Sequence, residues 1–148
     1  KVSYQSEETY NEEMATETGY LLLDQKLIQI EEVPGPGLEA CDLLDIEGRR
    51  FIHVKKSSSS LLSHFFKQGG NAARMFRSYE PFRAALVETV KDLQGAKQAR
   101  ALREALDERW AVEFQIADFP RSDGRLQYPI LQQTHSSRRG PQHGRYGL

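Results

Sequence analysis

Leu38-Glu-Ala-Cys-Asp-Leu-Leu-Asp45, a Glu47-Gly48-Arg49 turn and Phe51-Ile-His-Val-Lys55 decide how this chain folds. In the second run, residues alternate between faces, so Phe51, His53 and Lys55 share one side and Ile52 and Val54 the other. The same period in the first run sets Asp42 with Leu38, Ala40 and Leu44, which places an acid inside an apolar stripe. A carboxylate left unpaired there is costly. The connection of about five residues, with its glycine, suits an antiparallel hairpin. A register that brings Asp42 and Lys55 to one face assembles an Asp…His-x-Lys cluster. The plainer reading of the same two residues is a cross-strand ion pair.

Beyond the hairpin, Ser57 to Ser60 open a helix in which Leu61, Leu62, Phe65 and Phe66 recur at helical spacing. Leu61, Phe65 and Phe66 are expected in the core. Free backbone N–H groups, hydroxyls and lysines at a helix start favour a phosphate oxyanion, which makes Lys56, Ser58, Ser59 and Ser60 candidate phosphate contacts. A capped helix after a turn is the competing reading. His64 and Gln68 stand four residues apart on this helix, a spacing that lets both face one pocket. Gly69-Gly70 reads as an interruption, with Asn71 capping a second segment that runs to Tyr79 and Pro81 beginning a third. Val87, Val90 and Leu93 continue the apolar pattern. Ala96 to Glu108 predicts a fourth helix, whose arginines alternate with acids as on a solvated face.

Upstream, Glu7 to Glu17 predicts a short helix with Tyr10 and Met14 on one side, ended by Gly19. Tyr20 to Ile30 reads as a hairpin about an Asp24-Gln25-Lys26 turn, and Pro34-Gly-Pro-Gly37 as a loop. Downstream, Trp110, Val112, Phe114 and Ile116 alternate with Ala111, Glu113, Gln115 and Ala117, a clear strand. Leu126 to Leu131 reads as a short edge strand. The expected fold class is α+β, a mixed or mainly antiparallel sheet with helices packed on it. One domain spans residues 1–131, and 132–148 is expected to be a disordered basic tail.

The chain has 148 residues, 39% of them hydrophobic, enough for one ordinary core. Its net charge of −1 gives no overall basic field, so any attraction to nucleic acid must be local. The single cysteine, Cys41, excludes an intrachain disulfide and reads as a buried thiol, in keeping with a reducing, cytoplasmic setting. No apolar run approaches the roughly 18 residues of a membrane span. A start at Lys1 leads us to expect a piece of a longer protein. There is no phosphate-cradling glycine loop, paired-cysteine zinc spacing or nucleophile elbow.

Phe51-Ile-His-Val-Lys55, the serine run, Leu62-Ser-His64 and Gln68-Gly69, preceded by Tyr10-Asn11-Glu12 and Cys41-Asp42-Leu43-Leu44, resemble a sporadically distributed bacterial family of unknown function. The resemblance covers roughly residues 8 to 80, with weaker similarity at Trp110 to Ile116, and implies no established reaction. A second similarity, of order and spacing, is to the PD-(D/E)XK nuclease core: a helix with Glu, a hairpin with Asp and then Glu-x-Lys, and a helix carrying Gln. Glu12, Asp42, His53-x-Lys55 and Gln68 follow that order. His53 departs from it, standing where the pattern wants an acid. This similarity implies a restriction-endonuclease-like fold.

The sequence therefore leads to a divergent nuclease-like domain that binds or cleaves DNA or RNA, with a bacterial defence role as its expected setting. Asp42, His53 and Lys55 are its candidate catalytic residues, Asp42 and His53 its candidate metal ligands, and Glu12, His64 and Gln68 its supporting groups. Mg²⁺ or Mn²⁺ is the expected ion, Mn²⁺ tolerating a histidine better. The alternative is a non-catalytic binding or assembly module, with homo-oligomer or larger complex both open.

Overall fold

The computed structural model describes residues 6–56, 62–117 and 131–135. In chain order they form α1 (Glu7–Thr18), β1 (Leu21–Leu22), β2 (Leu27–Ile28), β3 (Leu38–Glu39), β4 (Leu43–Asp45), β5 (Arg50–Lys56), α2 (Leu62–Ser78), α3 (Glu80–Gln94), α4 (Ala96–Ala105), β6 (Ala111–Ala117) and β7 (Leu131–His135). Five strands make one mixed sheet in the order β1-β4-β5-β6-β7, and β2 and β3 pair separately. The class is α+β. No helix among the described residues is long and apolar enough to cross a membrane.

β5 lies at the centre of the sheet. It pairs antiparallel with β4, Leu43 opposite Ile52 and Leu44 opposite Phe51, so the expected hairpin is present. Asp45 closes its turn by accepting the Gly48 N–H at 2.8 Å. On the other side β5 runs parallel to β6, with His53 opposite Phe114. A parallel pair needs a long crossover, which α2, α3 and α4 supply.

The strand alternation sorts the two cores. Phe51 joins Leu44, Phe76, Phe82, Leu86, Val90 and Leu102 under α2, α3 and α4. Ile52 and Val54 join Leu43 on the opposite face, covered by Tyr10, Met14 and Ala15 of α1. With helices on both faces, Phe51 to Val54 are all buried. Cys41 is a buried free thiol, and burial pushes its pKa well up, so it packs as a small apolar group.

Several sequence expectations need correction. The turn after Leu23 forms, but β1 pairs with β4 and β2 with β3, so residues 20–30 feed two sheets and are not a hairpin. The run from Leu38 to Asp45 is two strands, β3 and β4, broken at residues 40–42. α2 continues through Gly69-Gly70, and Asn71 caps nothing. The reason is a close approach: a Cβ at Gly69 would stand 2.6 Å from Phe114 Cε1 and 3.1 Å from His53 Cδ2. Gly69 is therefore a packing residue that lets the helix lie against the sheet. Phe66 is 38% exposed and not core, whereas Phe65 is buried. The sheet also extends past residue 131, since β7 carries Gln132 to His135 alongside β6. The strand expected at Leu126 to Leu131 lies outside the described residues except for Leu131, and so does the tail beyond His135.

Candidate functional site

Asp42 sits in the break before β4, held by backbone on two sides. Its N–H donates to the Ile52 carbonyl at 3.0 Å and its carbonyl accepts the Leu23 N–H at 2.8 Å. This fixes the side chain against β5, where Oδ2 accepts the Val54 N–H at 2.6 Å. A carboxylate thus does what a strand carbonyl would do. Asp42 and Lys55 do not form the cross-strand ion pair: Lys55 Nζ donates instead to Glu7 Oε2 at 3.0 Å.

Two further acids reach Asp42. Asp24 comes from the turn after β1, and Glu39 from β3, where its Oε1 accepts the Gln25 N–H at 3.0 Å. Gln25 takes a left-handed backbone, φ 59°, to make that turn, a conformation uncommon for residues other than glycine. Oxygen atoms of Asp24, Glu39 and Asp42 all lie within 4.8 Å of one another. Burial raises the Asp42 pKa from 3.8 to about 7 against the opposing pull of the Val54 N–H. The neighbouring charges of Glu39 and Asp24 and a hydrogen bond to Asp24 raise it further. Carboxylates crowded in this way favour a proton or a cation between them.

The three acids face a cavity of about 280 Å³. His53, Lys55 and Gln68 also line it, from β5 and α2, and Glu7 closes it from α1. His53 is 5% exposed. Its ring stacks on Phe114 at 5.5 Å and meets Phe65 edge-on at 6.1 Å. Burial lowers its pKa from 6.5 to about 4, so it is neutral at pH 7. Its Nε2 has no hydrogen-bond partner among the described residues. A buried nitrogen left this way carries a desolvation cost that a ligand could relieve.

Of the residues singled out from sequence, Asp42, His53, Lys55 and Gln68 meet at one cavity. Glu12 does not line it and is exposed on α1; Glu7, five residues earlier, takes that place. His64 is exposed and also outside the lining, so it and Gln68 do not share the pocket. Lys56 is exposed, with its N–H donating to Glu7 Oε1 at 2.9 Å. Ser58, Ser59 and Ser60 lie outside the described residues.

The chain matches a family of unknown function, DUF6119, over residues 1–133. It belongs to that family. The motifs from Tyr10 to Gly69 that suggested an unknown-function family fall inside this span, as do all three acids of the cluster. No curated protein and no solved structure matches the chain. For this DUF6119 member, function must be argued from the site itself.

Asp24 escaped the sequence reading because it looked like a turn residue. Glu39 alternates to the other face of the first run from Asp42, so the strand period set the two apart. The signal available was a charge count: a central hairpin with one embedded acid and a missing second acid needs carboxylates from elsewhere.

Proposed function

We propose that this chain is a divergent nuclease-like domain that binds or cleaves nucleic acid, in a bacterial defence setting. The observation that carries this reading is the convergence of Asp24, Glu39 and Asp42 on the cavity that Lys55 also lines. The order of parts supports it: a helix with an acid, Asp42 at the hairpin, His53-x-Lys55 on the central strand, then α2 with Gln68.

The donor set fits a divalent cation. Three carboxylates offer oxygen, as Mg²⁺ or Mn²⁺ requires, and together they restore the acid that the His53 position lacks. Asp24, Glu39 and Asp42 would hold the ion; His53 is not in that group, and an all-oxygen set suits Mg²⁺ as well as Mn²⁺. When bound, such an ion activates water and stabilises a leaving oxygen. The chain's own groups do the rest. Lys55 brings positive charge to the cavity, where it offsets charge developing on a phosphate. Gln68 offers an amide donor. His53, neutral at pH 7, excludes water and does not act as the acid.

A second reading, a non-catalytic binding or assembly module, is favoured by one contact: Glu7 already neutralises Lys55. Cleavage assays separate the two. Labelled single- and double-stranded DNA and RNA are incubated with Mn²⁺ or Mg²⁺ and the wild type, Asp42→Asn or Lys55→Ala. The nuclease reading expects metal-dependent cleavage that falls about a hundredfold or more in either variant. No cleavage by the wild type, or cleavage that survives both substitutions, rejects it.

A further inference from the structure

Glu7 makes two hydrogen bonds to the end of β5, one through each carboxylate oxygen. Oε2 accepts from Lys55 Nζ at 3.0 Å and Oε1 from the Lys56 backbone N–H at 2.9 Å. One ammonium and one main-chain amide, bridged by two oxygens of a single anion, form the donor pair that also suits two oxygens of a phosphate. The pair is open to water: the side chains of Lys55 and Glu7 are 28% and 32% exposed. An ion pair this accessible contributes little to stability, so displacing it costs little.

We propose that Lys55 Nζ and the Lys56 N–H form a phosphate-binding subsite that Glu7 occupies as an internal stand-in, holding the domain in a self-blocked state until a nucleic-acid phosphate displaces it. The nucleic-acid ligand rests on the function proposed above; the anion subsite rests on the two hydrogen bonds alone. Displacement needs only a side-chain rotation of Glu7. α1 can stay in place, because Tyr10, Met14 and Ala15 hold it to the sheet independently. Of the four acids that line the cavity, Glu7, Asp24, Glu39 and Asp42, Glu7 is the one that occupies these two donors.

The test uses the whole chain in EDTA, so that neither cation binding nor cleavage enters. Inorganic phosphate, and separately a fluorescein-labelled single-stranded oligonucleotide, are titrated into wild type, Glu7→Gln, Glu12→Gln and the double variant Glu7→Gln/Lys55→Ala. Phosphate binding is read from the Lys56 amide resonance, whose spectrum also reports folding, and oligonucleotide binding from anisotropy. Glu12→Gln removes the same charge from the same helix at an exposed position that bonds to neither lysine. The proposal expects Glu7→Gln to bind phosphate three- to tenfold tighter than wild type, Glu12→Gln to stay within about twofold, and the gain to vanish in the double variant. An unchanged Glu7→Gln overturns it, as does an equal gain in Glu12→Gln or a gain that persists without Lys55. Tightening for phosphate but not for the oligonucleotide supports the subsite and overturns its nucleic-acid ligand. Each result is independent of whether the wild type cleaves anything.

Discussion

Replacing Asp42 by Asn should make this protein more stable at neutral pH while removing the function proposed for it. Folding moves the Asp42 pKa from 3.8 to about 7, chiefly by burial, against the pull of the Val54 N–H and with Glu39 and Asp24 adding to the rise. Because the folded value lies above the unfolded one, the folded chain binds the proton more tightly. The stability tied to this group is then fully present below about pH 4 and is lost as pH rises to 7. About three pKa units at about 1.4 kcal/mol each set an upper bound of roughly 4 kcal/mol, reached above pH 7. Asparagine stays neutral, and its amide oxygen can still accept the Val54 N–H that Asp42 Oδ2 now takes. Urea unfolding of both proteins at pH 4.5, 6 and 8 measures the difference. Asp42→Asn should gain on the wild type at each step, by about 2 kcal/mol or more by pH 8. Mn²⁺ added at pH 8 should stabilise the wild type and leave the variant unchanged. A pH-independent difference, or a variant less stable at pH 8, would refute the claim that this carboxylate is held at a cost.

Three other outcomes follow from the geometry. Gly69→Ala should destabilise by about 1–3 kcal/mol through overpacking, since its methyl meets Phe114 and His53. Gly70→Ala, which meets nothing within 4 Å, should stabilise by up to about 1 kcal/mol through helix propensity; thermal melts of the pair decide, and equal effects would contradict a continuous α2. His53, lowered to about 4 by burial, contributes stability that is lost as pH falls from about 6.5 towards 4. In His53→Leu that part of the pH–stability curve should flatten, and an unaltered slope in urea titrations would place the acid-sensitive group elsewhere. Arg50 bonds Asp45 at 2.6 Å, Glu113 at 2.9 Å and the Tyr20 hydroxyl at 2.6 Å. Arg50→Met should cost about 3–5 kcal/mol by stranding two buried acids, and a loss under 1 kcal/mol in denaturant unfolding would show that water reaches them.

What the sequence disclosed was local. The β4–β5 hairpin, α1, α3 and β6 follow from alternation, caps and turn residues that lie within a few positions of one another. Gly69 misled because a glycine's effect on a helix depends on its neighbours: the same residue that would weaken an exposed helix lets α2 approach Phe114, 45 positions away in sequence. Residues 20–30 held a real turn, but pairing partners are set by the whole sheet, and β1 and β2 found theirs elsewhere. Glu113 and Gln115 looked like the wet side of an amphipathic strand. They are 2% and 9% exposed, because α1 covers that face and Tyr10 donates to Gln115. Alternation tells which residues share a face, not whether water sees it. The candidate site was legible to the extent that it lay on β5: Asp42, His53, Lys55 and Gln68 do meet, but Asp24 and Glu39 arrive through tertiary folding.

Two clusters of ionisable groups flank β5, and comparing them separates structure from function. Around Arg50 the hydrogen bonds close, although one guanidinium, held over the Tyr20 ring at 5.5 Å, meets two acids whose side chains are 9% and 3% exposed and leaves one net negative charge. Gln115 Nε2 satisfies the remaining Glu113 oxygen at 2.9 Å. Such a closed network fixes α1 and the hairpin against the sheet and leaves no valence for a ligand. The cavity differs: the described residues that line it include Glu7, Asp24, Glu39 and Asp42 with a single cation, Lys55, which Glu7 already engages. Glu39 accepts the Gln25 N–H and Asp42 the Val54 N–H, while burial and the nearby charges of Glu39 and Asp24 raise the Asp42 pKa. A core that needed only an acceptor for the Val54 N–H could use a neutral Asn at position 42. An acid cluster beside a neutral His53 whose Nε2 has no partner among the described residues is the arrangement expected where charge must be supplied from outside, and this is why the cavity, and not the Arg50 network, is where function should be sought.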